Sequence, residues 1–453
     1  MTRHAQLAKT FLTCRDAAVH HDHTFWHVRE NRDHMAQAVP EWEQLRSLAS
    51  DIKAHTLSHI DTYLEQFEAR ATSNGVHVHW ARDAREYCET VLHLLKEKDV
   101  TKVVKSKSML TEECQLNPFL EAADIEVVET DLGERILQLM KLPPSHIVMP
   151  AIHIKKEDVG KCFEKMLGTE KGNADPTYLT YAARQHLRHH FLTAGAGLTG
   201  ANFAVAQTGD IVVCTNEGNA DMSTSIPPLH IVSMGIEKLI PDLESMAVFH
   251  RLLARQGTGQ PTTTFTSHFH RPRPGCEMHV ILVDNGRSQI LSRKDHWQTL
   301  KCIRCGACMN TCPVYRRSGG YSYSYFIPGP IGINLGMLRD ARKHAGNLSA
   351  CTLCQSCDCV CPVKVDLSQQ IYLWRQELDT LGLANRQKKI MSQGMQLVFN
   401  HPRVYSGVLR FAPVINKLPR RLTGVRINTW AMAHEMPQFA TKSFHELWKE
   451  GNL

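Results

Sequence analysis

No stretch of this 453-residue sequence approaches the roughly 18 apolar residues in a row that a membrane-spanning helix needs. The opening residues, MTRHAQLAKTFLTCRDAAVHHDH, lack the apolar run of a secretory signal. These absences place the chain in the cytoplasm. Dense basic runs and basic residues interleaved with aromatics are also missing, which argues against nucleic acid as a partner. Strong charge of either sign is lacking too: 52 Lys and Arg against 45 Asp and Glu leave a mild net +7. Arg271, Arg273, Arg403, Arg410, Arg420, Arg421 and Arg426 flank the cysteine-rich region. A solvated basic face is the plain reading of them; steering of an acidic partner, or peripheral contact with the inner face of a membrane, is the alternative. Neither a flavin nor a nicotinamide signature is present. The one formal GxGxxG, Gly195 to Gly200, follows a helical pattern and precedes an extended one, the reverse of a dinucleotide fingerprint. The expectation is that Gly195 and Gly197 cap a helix and Gly200 permits the turn into a strand.

Cysteine is what the sequence has in quantity, fifteen in all, nine of them between Lys301 and Val365. Cys302, Cys305, Cys308 and Cys312, followed by Pro313, spell C-x2-C-x2-C-x3-C-P, and Cys351, Cys354, Cys357 and Cys361, followed by Pro362, repeat it. Thiolates suit soft iron, and three at this spacing hold three irons of a cubane. One such run alone also fits a zinc site; two with the same trailing proline do not. In two-cluster ferredoxins the fourth cysteine of each run serves the other cluster. The expected sets are therefore Cys302, Cys305, Cys308 and Cys361 for one 4Fe-4S cluster, and Cys351, Cys354, Cys357 and Cys312 for the second. Cys359 fits no ligand position. Reduced thiols agree with a cytoplasmic location.

Along the chain, residues 1–70 read as a helical segment, with a histidine-rich start and an amphipathic helix from Trp42 to Phe67. Residues 71–290 alternate strands with helices, which predicts an α/β domain with a largely parallel sheet. Strands are predicted at Val76–Trp80, Lys102–Lys105, Ile125–Val128, Ile147–Met149, Phe203–Gln207, Ile211–Thr215, Leu229–Ser233 and Met278–Val283. Helices are predicted at Arg82–Lys96, Thr111–Ala122 and Glu157–Leu167. Residues 291–390 read as a mainly helical module around the cysteines, with helices at Ile331–Lys343 and Ser368–Leu381. In residues 391–453, Pro402, Pro413 and Pro419 exclude one long helix and leave an irregular docking region or cap.

Small polar residues and glycine at strand ends mark where open α/β sheets bind ligands. That singles out Thr208, Asn216, Glu217 and Asn219, with Lys105, Ser106, Lys107 and Ser108 leaving an earlier strand as anion-binding groups. The Lys105–Met109 stretch, the Ala201–Ala220 stretch and the double cysteine run together resemble the lactate utilization protein B family of bacterial L-lactate oxidation. The resemblance extends to the amino-terminal histidine and tryptophan segment and to Trp430 and Trp448. It implies a LUD domain, similar to the sugar isomerase and CoA-transferase superfamily (NagB/RpiA/CoA-transferase-like), followed by a helical two-cluster ferredoxin module. It also implies a complex with a cysteine-rich subunit and a smaller LUD subunit that converts L-lactate to pyruvate.

Lactate oxidation removes two electrons, whereas a 4Fe-4S cluster passes one at a time, so the resemblance and the cysteines together imply a relay subunit without its own catalytic site. Two other readings stay open. One makes the LUD domain catalytic on a small anionic or thioester ligand through Glu217, since glutamate attacks a thioester in that superfamily. The other is a redox-sensing regulator, although no DNA-binding module accompanies the clusters.

Overall fold

The computed structural model describes residues 3–383, 386–417 and 438–451. The long apolar run Met278–Val283 and the seven wholly buried residues of Leu229–Gly235 can only lie where both faces of a sheet are covered, as in parallel sheets. They do. Among the described residues ten strands form: β1 His77–Ala81, β2 Lys102–Lys105, β3 Glu126–Glu129, β4 Ala196–Gly200, β5 Phe203–Val205, β6 Asp210–Thr215, β7 Leu229–Gly235, β8 Leu239–Ile240, β9 Phe265–Phe269 and β10 Glu277–Val283. Six make a parallel sheet in the order β1-β10-β7-β4-β2-β3, and four make a smaller one in the order β8-β5-β6-β9. One face of the large sheet packs Tyr87, Val91 and Leu95 of helix Ala84–Glu97 against Val103, Leu198 and Ile231. The other packs Leu64, Phe67 and Ala71 of helix Ile60–Ser73 against Val232, Met234 and Val280.

The chain places β3 on one side of β2 and β4 on the other. Such a reversal opens a crevice outside the carboxyl ends of the strands. β4 is the glycine-rich stretch, and here the expected helix caps are corrected. Gly197 lies in mid-strand, where a Cβ would stand 1.7 Å from the carbonyl oxygen of Ser223. Close approach of the neighbouring helix, not a cap, requires that glycine.

Three other expectations are corrected by local geometry. Ile147–Met149 is a loop, because the His146 ring accepts the backbone N–H groups of both Val148 and Met149 and curls the chain. The helix expected over Trp42–Phe67 is two, Trp42–Ser58 and Ile60–Ser73, broken at His59. The helix expected over Thr111–Ala122 is split at Gln115, whose backbone is left-handed at φ 57°.

The amino-terminal helices Arg15–Gln37 and Trp42–Ser58 join the sheet domain to the cysteine module. Lys53 donates to the carbonyl oxygens of Glu237 and Leu239, Arg29 to Thr311, and Arg46 to those of Cys361 and Asp358 at 3.0 and 3.1 Å. Tyr315 and Phe25 are fully buried against each other, so this part of the aromatic stretch is core.

The described residues from 378 onward form a separate compact unit. Its helices Arg386–Asn400 and Pro402–Phe411 meet at His401, where the following proline starts a new helix. Phe399, Phe411 and Trp448 are exposed there. Pro419, Arg420, Arg421, Arg426 and Trp430 lie outside the described residues. Among the described residues no helix is long and apolar enough to cross a membrane.

Candidate functional site

The two cysteine runs adopt one backbone. Two residues after the first cysteine of each run, Arg304 and Leu353 are left-handed at φ 60° and 56°, and one residue after the second, Gly306 and Gln355 are left-handed at 81° and 61°. The turn folds each N–H of Arg304 and Leu353 back onto a sulfur, that of Cys302 at 3.4 Å and of Cys351 at 3.3 Å. A five-residue helix then follows in each, Ala307–Thr311 and Ser356–Val360, and the two helices pack together. Proline follows the fourth cysteine as the first residue of helix Pro313–Ser318.

This packing brings thiols together across the runs. Burial pushes the Cys308 thiol well up, and the neighbouring thiols of Cys302, Cys305 and Cys361 push it further. Burial raises Cys312 to about 11, with Cys351 and Cys354 adding to it. Cys312, Cys351, Cys354 and Cys357 line one small cavity with Pro330 and Ile333. Thiols crowded in this way resist ionisation alone and give up their protons to a cationic iron core, so the donor sets fit iron–sulfur clusters. Cys359 is exposed and lines neither group.

A second site, a cavity of about 500 Å³, opens at the carboxyl ends of β2, β4 and β7. Lys107, Asn216, Glu217 and Asn219 all line it; Lys105 and Thr208 do not. Lys105 is turned into the interior and fully buried, with its ammonium 2.9 Å from Glu129, 3.7 Å from Glu112 and 3.9 Å from Glu134. Thr208 sits in the β5–β6 turn, where its carbonyl accepts from Asn74. Lys107 pairs with Asp131 at 3.0 Å and donates to the carbonyl of Val148 at 2.8 Å. Asn216 and Asn219 are tied to Gln260 and Thr215. Glu217 stands at the mouth, accepting the N–H of Leu132 at 2.9 Å. The protein crowded around its carboxyl, and then the Asp131 charge, raise its pKa to about 6.

Ser106 and Ser108, expected beside Lys107, line the cavity too; sequence reasoning missed Lys238 and Arg304, which share its wall with Cys305. Arg304 was visible only as a residue between two cysteines, and Lys238 only as the lysine after β7. Burial lowers Lys238 to about 8.

A parallel sheet with a ligand-sized crevice, joined to a paired cysteine module, defines a LUD-domain iron–sulfur protein. Residues 64–290 match the LUD domain, 298–365 the 4Fe-4S dicluster domain, and 382–452 the lactate utilisation protein B C-terminal domain. The chain belongs to the lactate utilization protein B family. It is 39% identical over 435 residues to the uncharacterized electron transport protein YkgF of Escherichia coli K12, covering 93% of this chain and 91% of that protein. Lactate utilization protein B of Shouchella clausii is 38% identical, with 93% and 91% covered, and that of Geobacillus kaustophilus 42% identical, with 83% and 81% covered.

Proposed function

We propose that this chain is the iron–sulfur electron-transfer subunit of an L-lactate-oxidising complex, working beside a cysteine-rich subunit and a smaller LUD subunit. Cys302, Cys305, Cys308 and Cys361 hold one 4Fe-4S cluster, and Cys351, Cys354, Cys357 and Cys312 the other. The observation that carries this reading is the shared backbone of the two runs, which presents each fourth cysteine to the opposite group. When bound, such clusters supply one-electron transfer. The chain's own residues fix the sulfurs, through the N–H groups of Arg304, Leu353 and Val365, and exclude water through Tyr315 and Ile333. The family names of the relatives support lactate utilization as the setting. The working division is 1–70 helical, 71–290 LUD, 291–390 ferredoxin and 391–453 docking.

Anaerobic quantification should give about eight irons and eight sulfides per chain, and the reduced protein two interacting paramagnetic signals. About four irons, or zinc, would remove the relay.

A second reading is favoured by the raised pKa of Glu217 at the cavity mouth. If its carboxylate attacks the carbonyl of a thioester ligand, forming an acyl-glutamyl anhydride and expelling the thiolate, turnover of that thioester by the assembled complex rises as pH passes about 6, since only the ionised form is a nucleophile. Glu217→Gln then abolishes activity with clusters and assembly intact. Equal activity in the variant removes this reading.

A further inference from the structure

The cavity in the sheet domain does not end at the sheet. Arg304 and Cys305 of the first cysteine run form part of its wall, so whatever enters it lies against the chain that holds the first cluster. Among the described residues, two buried polar atoms on this wall have no partner, and a half-buried cation beside them has none either. Ser106 is 3% exposed and its hydroxyl has no hydrogen-bond partner. Arg304 is 12% exposed, and its Nη1 has no partner either. Lys238 makes no hydrogen bond or ion pair among the described residues.

Of the four carboxylates that line the cavity, Glu217 stands at the mouth beside Asp131 and Lys107, and the other three are committed. Glu113 holds Arg287 in a two-point pair at 3.0 Å, Glu237 accepts from the same guanidinium, and Asp131 holds Lys107. Glu237 reaches Arg304 only at 3.9 Å. Around Lys238, three cations, Lys238, Arg287 and Arg304, thus face two carboxylates, Glu113 and Glu237, and one positive charge is left over there. Groups like these are not left unpaired in a folded protein without something to meet them. The same cavity also has apolar lining, including Ile147, Ile152 and Ile327.

We infer that the cavity is a carboxylate-binding site in which Arg304 and Lys238 hold the anionic head of a small 2-hydroxy or 2-oxo acid beside the first cluster. The Ser106 hydroxyl is available to the oxygen at the second carbon, and the isoleucines face its alkyl end. The site deepens the relay reading and rests on it for one consequence. An anion bound here and an electron added to the cluster repel each other, so each weakens the other by the same factor.

Isothermal titration of the full chain under anaerobic conditions tests this, with L-lactate, pyruvate and lactamide, the last a neutral match in shape. One or both acids should give saturable one-site binding and lactamide none. Lys238→Met should weaken binding about tenfold or more, as loss of a charge-assisted contact does. Ser106→Ala, a smaller change, should weaken it less while leaving the fold unaltered. Dithionite reduction should weaken acid binding in the wild type. Absence of binding by both acids, equal binding of lactamide, or wild-type affinity in Lys238→Met overturns the site and leaves Lys238 as a counter-charge for the cluster. Iron and sulfide are measured on the same samples: low values defeat the cluster reading, while the titration separately decides the cavity.

Discussion

Cys302→Ala combined with Cys361→Ala is expected to leave about four irons per chain rather than about eight or none. If each cluster drew its four ligands from its own run, this double variant would damage both. In the crossed arrangement the two cysteines belong to one cluster, and the second keeps all its ligands. The packing favours crossing: Cys361 stands with Cys302 and Cys305 among the thiols that raise Cys308, while Cys312 shares a cavity with Cys351, Cys354 and Cys357. Cys312→Ala with Cys351→Ala should leave about four in the same way, whereas Cys302→Ala with Cys312→Ala should approach zero. The surviving cluster in either four-iron variant should lose the splitting that two neighbouring paramagnets impose. Cys359→Ala should keep about eight irons.

Lys105→Met should destabilise the sheet domain by about 3–5 kcal/mol, the usual consequence of removing one partner from a buried ion pair. Lys105 is the end of a central strand and has no exposure. Burial disfavours its charge, but Glu129, then Glu134 and Glu112, outweigh it and hold its pKa above that of an ordinary lysine. Its removal strands three carboxyl groups in the interior. Burial already raises Glu112, and raises Glu134 well above the usual range, with Glu129 adding to both. A carboxyl whose folded pKa is raised binds more protons folded than unfolded, so its contribution falls as pH rises through the unfolded value near 4.5. The deficit of Lys105→Met should therefore be largest above neutrality and shrink towards pH 5. Urea unfolding midpoints across that range measure it; a deficit independent of pH would mean that the carboxylates are not what the lysine neutralises.

The parts of the molecule that could be read from sequence are those whose chemistry is local. Cysteine spacing encodes a turn that folds on itself, so the eight candidate ligands stood out before any tertiary contact was known. Strands rich in valine and isoleucine, such as β2 and β10, were equally plain. β4 was not, because its Gly197 answers to Ser223 in a helix more than twenty residues away. Lys105 and Lys107 looked alike as two lysines leaving a strand. Two positions apart, they would share a face if the strand ran on, but β2 ends at Lys105, whose side chain enters the core, and Lys107 lies in the turn beyond, where it reaches the cavity. Lys238 and Arg304 come from segments far apart in sequence, and no local signal could have paired them.

The grip of Arg46 on the backbone of Cys361 and Asp358 spans 315 positions in the chain. On a ribosome adding about 5–20 residues per second, Arg46 waits roughly 15–60 s for Cys361 to be synthesised. The sheet domain has emerged completely by then. Metal loading is thus a late step of biogenesis, and for the last part of that interval, roughly 3–10 s, the first run of cysteines waits beside a finished sheet without its fourth partner. Supply of iron and sulfide at the end of translation, rather than folding of the sheet, would then set how much active protein a cell obtains.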